Sequence, residues 1–180
     1  MRVYKFLPLM AGVLAISGYG NQTPGPAEVV AVQPKTPSVP KSATVTSTPA
    51  SSGLTKKPGL PGFSLDAIGK AFDPINKPAV ISIDTTVVFR GFGFDNDAKQ
   101  PAKAVELILD QTAYATDYKS RRQDVADYFH APQLEMTGFS VSIPSILISE
   151  GDHTAVVRVI SYDGKTYKDS PVIKFVARKP

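Results

Sequence analysis

Cysteine and tryptophan are absent from the 180 residues, histidine occurs twice and methionine three times. The missing thiols exclude disulfide staples, cysteine nucleophiles, thiolate zinc sites and the cysteine-linked lipid anchor of bacterial lipoproteins. His130 and His153 complete no usual zinc set unless distant loops add carboxylates. An apolar run of bilayer length is lacking too. Residues 6–16 make a run of eleven, roughly 16 Å as a helix, where a hydrocarbon core takes about twenty residues.

What surrounds that run has the architecture of a secretory signal peptide over residues 1–20. Arg2 and Lys5 form a basic head, and Ala15-Ile16-Ser17 or Gly18-Tyr19-Gly20 supplies a small-residue cleavage site. The expected address is outside the cytoplasm, periplasmic or secreted, away from ATP, NAD and reducing thiols. An uncleaved anchor is the alternative. An exported chain without cysteine suits a bacterial envelope better than a disulfide-dense extracellular scaffold.

The formal charge of +4 is unevenly placed. Residues 1–20 carry +2, and residues 21–62 carry +3 from Lys35, Lys41, Lys56 and Lys57 against Glu28. Residues 63–180 hold fourteen Lys and Arg against fifteen Asp and Glu, a balance of −1. Binding to a phosphate backbone draws on clustered Lys and Arg, so no nucleic-acid partner is expected.

Residues 21–62 contain eight of the sixteen prolines, mixed with Ser, Thr, Ala and Val and no aromatic residue. That composition reads as a disordered Pro/Ser/Thr-rich tether, because proline favours extended backbone and the polar filler buries too little surface to fold. Fully extended, forty such residues reach roughly 120 Å. Its role is a spacer or a passive leader.

From Phe63 onward, β-branched and aromatic residues come in short runs broken by Gly, Pro, Asn and Asp, which is strand punctuation. Strands are expected near 63–69, 79–83, 86–95, 103–110, 112–118, 136–143, 153–162 and 170–177. Phe139, Val141 and Ile143 alternate with Ser140 and Ser142, and Val105, Leu107 and Leu109 with Glu106 and Asp110, so each apolar set faces a core. Asp163-Gly164 predicts a two-residue hairpin turn. The exception is 124–129, where Asp124 is placed to cap a short helix and Val125, Tyr128 and Phe129 fall on one face. Eight strands with almost no helix predict an all-β, Ig-like antiparallel sandwich with a short helix in a crossover loop.

The run Tyr118-x-x-x-Arg122-x-Asp124-Val125-Ala126-x-x-Phe129, followed by Leu134, Gly138-Phe139, Ile143-Pro144, Leu147 and Gly151-x-His153, resembles an uncharacterised bacterial module. Members of that family are Ig-like β-sandwiches of exported proteins and of extracytoplasmic parts of envelope proteins, some with glycosyltransferase regions. The resemblance spans about 63–176. It implies the sandwich fold and an envelope address, and brings no catalytic residues with it. Lys119 and Gln123 stand where the pattern tends to have Gly and Pro, and Phe92 where it often has Trp.

No catalytic set is complete. There is no Gly-x-Ser-x-Gly elbow, and Ser38-Val39-Pro40-Lys41 matches Ser-x-x-Lys only within the tether. Asp95-Asn96-Asp97 begins like a calcium loop, but Lys99 follows where an oxygen ligand belongs. Gly91-Phe92-Gly93 has no helix after it to make a phosphate loop, and its glycines read as relief of crowding or as a bulge. His153 reads as a strand-start anchor. No metal or cofactor is therefore expected, and the chain reads as non-enzymatic.

The candidate surface is 114–129. Tyr114, Tyr118, Arg121 and Tyr128 offer aromatic faces and guanidinium donors suited to sugar rings, uronic acids or a protein partner. Arg122, Asp124, Val125 and Phe129 read as the anchor that pins the loop, with Arg122 paired to Asp124 or Asp127. The expected function is binding or structural contact with an envelope protein or polysaccharide. Carbohydrate binding by an accessory domain is the alternative, and a small secreted hydrolase stands behind both.

Overall fold

The computed structural model describes residues 49–84 and 86–180. The expected signal peptide and residues 21–48 of the expected tether lie outside the described residues. In chain order the strands are β1 (Thr55–Lys56), β2 (Gly62–Ile68), β3 (Ala71–Phe72), β4 (Ala79–Ser82), β5 (Thr86–Asp95), β6 (Gln100–Pro101), β7 (Ala104–Leu109), β8 (Thr112–Ala115), β9 (Asp117–Ser120), β10 (Gly138–Pro144), β11 (Gly151–Ile160), β12 (Thr166–Asp169) and β13 (Ile173–Arg178). Among the described residues one helix, α1 (Gln123–Tyr128), and 3₁₀ turns at Pro132–Met136 and Ser145–Leu147 complete the elements.

The strands form two sheets, and the described residues make an all-β sandwich. The first sheet runs β8-β7-β11, with β12 and β13 end to end along the far side of β11, β12 carrying β1 and β13 carrying β4. The second runs β3-β2-β5-β10-β9, with β6 added beside the end of β5. The ladders are antiparallel except β1 with β12 and β13 with β4, which are parallel. The expected all-β sandwich is present and its ladders are mainly antiparallel, with these two parallel pairs added where early segments of the chain lie alongside the late strands.

Alternation explains the core. Val105, Leu107 and Leu109 of β7, Val157 and Val159 of β11, and Phe175 of β13 face Leu65, Phe89, Phe139, Val141 and Ile143 of the other sheet in one buried cluster. Phe89 and Phe175 meet edge to face at 5.9 Å between ring centres, so the two sheets interlock through this pair. The glycines of β5 belong to the same packing: a Cβ at Gly91 lies 2.0 Å from the Ser64 carbonyl oxygen, and one at Gly93 lies 2.8 Å from Val105.

Several expectations needed the third dimension. The stretch 112–118 is two strands, one in each sheet, and the chain changes sheets at Thr116, whose hydroxyl donates to the Val105 carbonyl. The expected strand 170–177 begins later, because Ser170 and Pro171 interrupt it; the Ser170 hydroxyl takes the Val157 N–H in place of a backbone carbonyl. The hairpin at Asp163-Gly164 forms, but it closes over four residues between Ser161 and Thr166, with positive φ at Gly164 alone. The two-residue turn with positive φ at both positions is Asp110-Gln111, joining β7 to β8 without any glycine.

The fold also begins earlier than Phe63. Residues 49–57 cross the outer face of the first sheet and end as β1 on the edge of β12. Ser51 is buried there, donating its hydroxyl to Glu106 at 2.6 Å, while the Ala50 and Ser51 N–H groups donate to the other carboxyl oxygen. Glu106, expected on a solvent face by alternation, is 1% exposed because this strap covers it.

His153 has the anchoring role its position suggested. The ring lies against Phe175, with Nδ1 2.5 Å from Asp110 Oδ2 and Nε2 2.8 Å from the Ser149 carbonyl oxygen. Two acceptors favour a doubly protonated imidazole. Burial opposes the charge, but Asp110 and the Ser149 carbonyl outweigh it and hold the His153 pKa above its ordinary value. Burial likewise acts against the Asp110 charge, yet His153 and the Thr154 N–H keep that carboxyl below its ordinary range.

A raised histidine stabilises the fold fully below its unfolded pKa, near ~6.5, and loses that contribution as pH climbs through the folded value. A depressed aspartate contributes above ~3.9 and loses its share on acidification. The pair is therefore strongest between about pH 4 and 6.5. The gap in urea midpoint between the wild-type chain and His153→Gln is expected to be widest near pH ~5.5 and to narrow by pH ~8.5. A gap independent of pH contradicts this.

Candidate functional site

The segment 121–137 packs on the outer face of the second sheet, opposite the main core. Phe92 and Phe94 project outward from β5 because they alternate with Val87 and Phe89, whose face, continued by Gly91 and Gly93, is turned to the main core. Phe94, Val125 and Leu134 form a second buried cluster, with Phe92 and Ala131 packed against it. The short helix is thus held by a few apolar contacts and by polar ties at its start.

Arg122 makes most of those ties. Its guanidinium lies 5.2 Å above the Phe92 ring, donates Nε and Nη2 to both oxygens of Asp124 at 2.9 and 2.7 Å, and donates Nη1 to Asp66 at 2.7 Å. The Asp124 hydrogen bonds, with Asp66 adding to them against the cost of burial, raise the Arg122 pKa further. Arg122 in turn holds the Asp124 carboxyl below its ordinary range. Asp66 reaches the site because a bulge in β2 sets it as the extra residue opposite β5, where Leu65 pairs with Gly91 and Ala67 with Arg90.

Asp124 is not the helix cap. Arg122 occupies that position with no side-chain cap, and Asp124 lies in the first turn. The expected pairing of Arg122 with Asp124 is present; Asp127 instead accepts from Gln123 at 2.9 Å. Val125 is buried, and Phe129, at 37% exposure, meets Phe94 edge to face at 5.0 Å.

The four residues expected on a ligand surface part company. Tyr114 is buried between the sheets beside Leu107, its cross-strand partner, and burial with the nearby Asp110 charge pushes its phenol up. Tyr118 is a strut: its hydroxyl donates to the Gly93 carbonyl at 2.7 Å and accepts the Ala102 N–H at 2.8 Å. Burial lifts that phenol to about 12. Arg121 is exposed and forms an ion pair with Glu135 of the 3₁₀ turn.

Tyr128 stands out from the surface, 78% exposed, with its ring edge-on to Phe129 at 4.9 Å. Together with Phe63, Phe92, Val125 and Phe129 it lines a shallow groove of about 510 Å³, with Asp124 on the rim. The rings run in series from Phe94 through Phe92 and Phe129 to Tyr128. The groove's inner members, Phe63 and Phe92, come from strands that sequence reading used only as core and spacing.

The Asp95-Asn96-Asp97 segment is a closed turn. Asp95 accepts the N–H groups of Asp97, Ala98 and Tyr162, Lys99 donates to Asn96, and Lys168 to Asp97. Among the described residues no three His, Asp or Glu side chains gather as a metal ion needs, and no helix is long and apolar enough to cross a membrane. No family model matches the chain, and no curated protein matches it. Among solved structures it is similar to the endo-beta-1,4-mannanase from Thermotoga petrophila, with 14% identity and a TM-score of 0.42 over 69% of this chain and 21% of that one.

Proposed function

We propose that the chain is an exported, non-enzymatic Ig-like module of the bacterial envelope that holds a partner protein through the groove at α1. The observation that carries this reading is Tyr128, a large ring left in solvent at the end of a packed aromatic series. Burying such a ring against a partner releases apolar surface from water at small entropic cost, since its base is already fixed by Phe129. The groove walls are apolar and the carboxylate on its rim is already taken by Arg122, which suits an apolar segment of another protein better than a polar small molecule. The signal-like residues 1–20 and the resemblance to exported modules supply the address.

Two measurements test the two halves. Fractionation of cells expressing the full chain is expected to recover it outside the cytoplasm; recovery in the cytosol overturns export. A photo-reactive residue at position 128 is expected to form an adduct with one envelope protein, and the same residue at position 146, also exposed, is not. Excess wild-type chain competes the adduct away, while Tyr128→Ala competes at least about tenfold less well, equivalent to about 1.4 kcal/mol. Equal competition by the variant removes the groove from the proposal.

A further inference from the structure

At one end of the sandwich the turn after β5 meets the loop between β11 and β12, and two clefts open on either side of Tyr162. The first, about 360 Å³, is lined by Lys57, Asp97, Asp163, Tyr167 and Lys168 among others. The second, about 490 Å³, is lined by Gln100, Lys103, Lys119 and Gln133 with no carboxylate. Tyr162 lines both clefts and is 58% exposed, and its backbone N–H is fixed by Asp95 at 2.9 Å. It is a ridge on an anchored loop.

The charges around the ridge are sorted. In the first cleft Asp97 takes the Lys168 ammonium at 2.6 Å, and Asp163 takes the Ser161 hydroxyl and the Lys165 N–H. These bonds hold both carboxyls below their ordinary range. Neither is a reservoir for the proton that a glycosidase acid must donate, but both remain acceptors for hydroxyl groups. In the second cleft Lys103 and Lys119 form no ion pair among the described residues. Two ammonium groups without an ion pair therefore share a cleft that no carboxylate lines.

We propose that these clefts form a binding site for an acidic polysaccharide, with a carboxylated sugar over Lys103 and Lys119 and a sugar ring against Tyr162. Neighbouring hydroxyl groups donate to Asp97 and Asp163 in the first cleft and accept from Lys57. Each part suits its place: an aromatic face takes the C–H face of a pyranose, and ammonium groups take the carboxylate. The site rests on the export half of the proposed function and is independent of the groove at α1.

The test is titration of the full chain with hexameric oligogalacturonate, with cellohexaose as the neutral glycan and polyglutamate as a polyanion without sugar rings. Saturable binding to oligogalacturonate alone is expected, weakened at least tenfold by Tyr162→Ala and by Lys103→Glu and unchanged in Tyr128→Ala. Tyr162 and Lys103 are surface side chains, and circular dichroism with an unchanged urea midpoint establishes that the variants fold. Equal binding of polyglutamate reduces the site to unspecific charge attraction and overturns the proposal. So does absence of binding, or binding indifferent to Tyr162→Ala. Loss of binding in Tyr128→Ala with Tyr162→Ala intact transfers the glycan to the groove and overturns the end site alone.

Discussion

Glu106→Ala is expected to lower the stability of the folded chain by about 3 kcal/mol and to release the strap that crosses it. Glu106 is 1% exposed and accepts three hydrogen bonds from Ala50 and Ser51. Removing its carboxyl leaves the Ser51 hydroxyl and two N–H groups facing a cavity. The loss spreads to Arg158, which donates to the Ser51 hydroxyl at 3.1 Å while holding Asp169 and stacking 4.2 Å over Tyr167. Denaturant unfolding gives the first part and amide exchange over 50–57 the second. Glu106→Gln keeps the volume and one acceptor and is expected to cost less than half as much. A Glu106→Ala chain with unchanged midpoint and unchanged exchange at the strap contradicts the account.

Gly91→Ala is the second large effect, a fall in Tm of about 10 °C from roughly 2–3 kcal/mol of overpacking. The added methyl carbon falls 2.0 Å from the Ser64 carbonyl oxygen and 3.0 Å from the Phe139 ring. A backbone oxygen in a paired strand cannot rotate aside, so β2 must separate from β5 next to the bulge that positions Asp66. Gly93→Ala is the internal comparison. Its methyl meets side-chain carbons of Val105 and Val159 at 2.8 and 3.1 Å, which yield more readily, and a smaller fall is expected. If Gly93→Ala proves the more damaging, backbone contact is not what makes Gly91 necessary.

These two positions show where sequence reading stops. The glycines of Gly91-Phe92-Gly93 were legible as relief of crowding, since no phosphate-binding helix followed them. Which atoms do the crowding was not, because Ser64 and Val105 come from other strands. Glu106 carried a misleading signal. Alternation with Val105 and Leu107 assigned it to solvent, and nothing near it in the chain announced that Ser51, fifty-five residues earlier, would cover it. The strap itself was hidden in a Pro/Ser/Thr-rich composition that reads as tether.

At the candidate site the division is similar. The helix near 124–129 and the pairing of Arg122 with Asp124 were legible from local spacing, whereas the same spacing set Tyr128 on one face with Val125, and only the packing leaves Tyr128 exposed and Val125 buried. Tyr114, expected on a surface, is buried, and Tyr118 is partly buried, because a tyrosine on an edge strand has the same local pattern whether it points between sheets or away from them. The Asp66 contact needed a β-bulge, and the clefts beside Tyr162 needed loops from four parts of the chain to meet.

The sequence by itself determined the all-β class, the positions of most strands, the short helix and the absence of thiol chemistry. Those follow from local periodicity, turn residues and composition, which act over a few neighbouring residues. Tertiary structure alone decided which tyrosines are packed away, which carboxyls are sealed, that residues 49–57 belong to the fold and which ammonium groups share a cleft. Those depend on contacts between segments tens of residues apart, and a two-residue period specifies a strand's two faces without saying what covers either one.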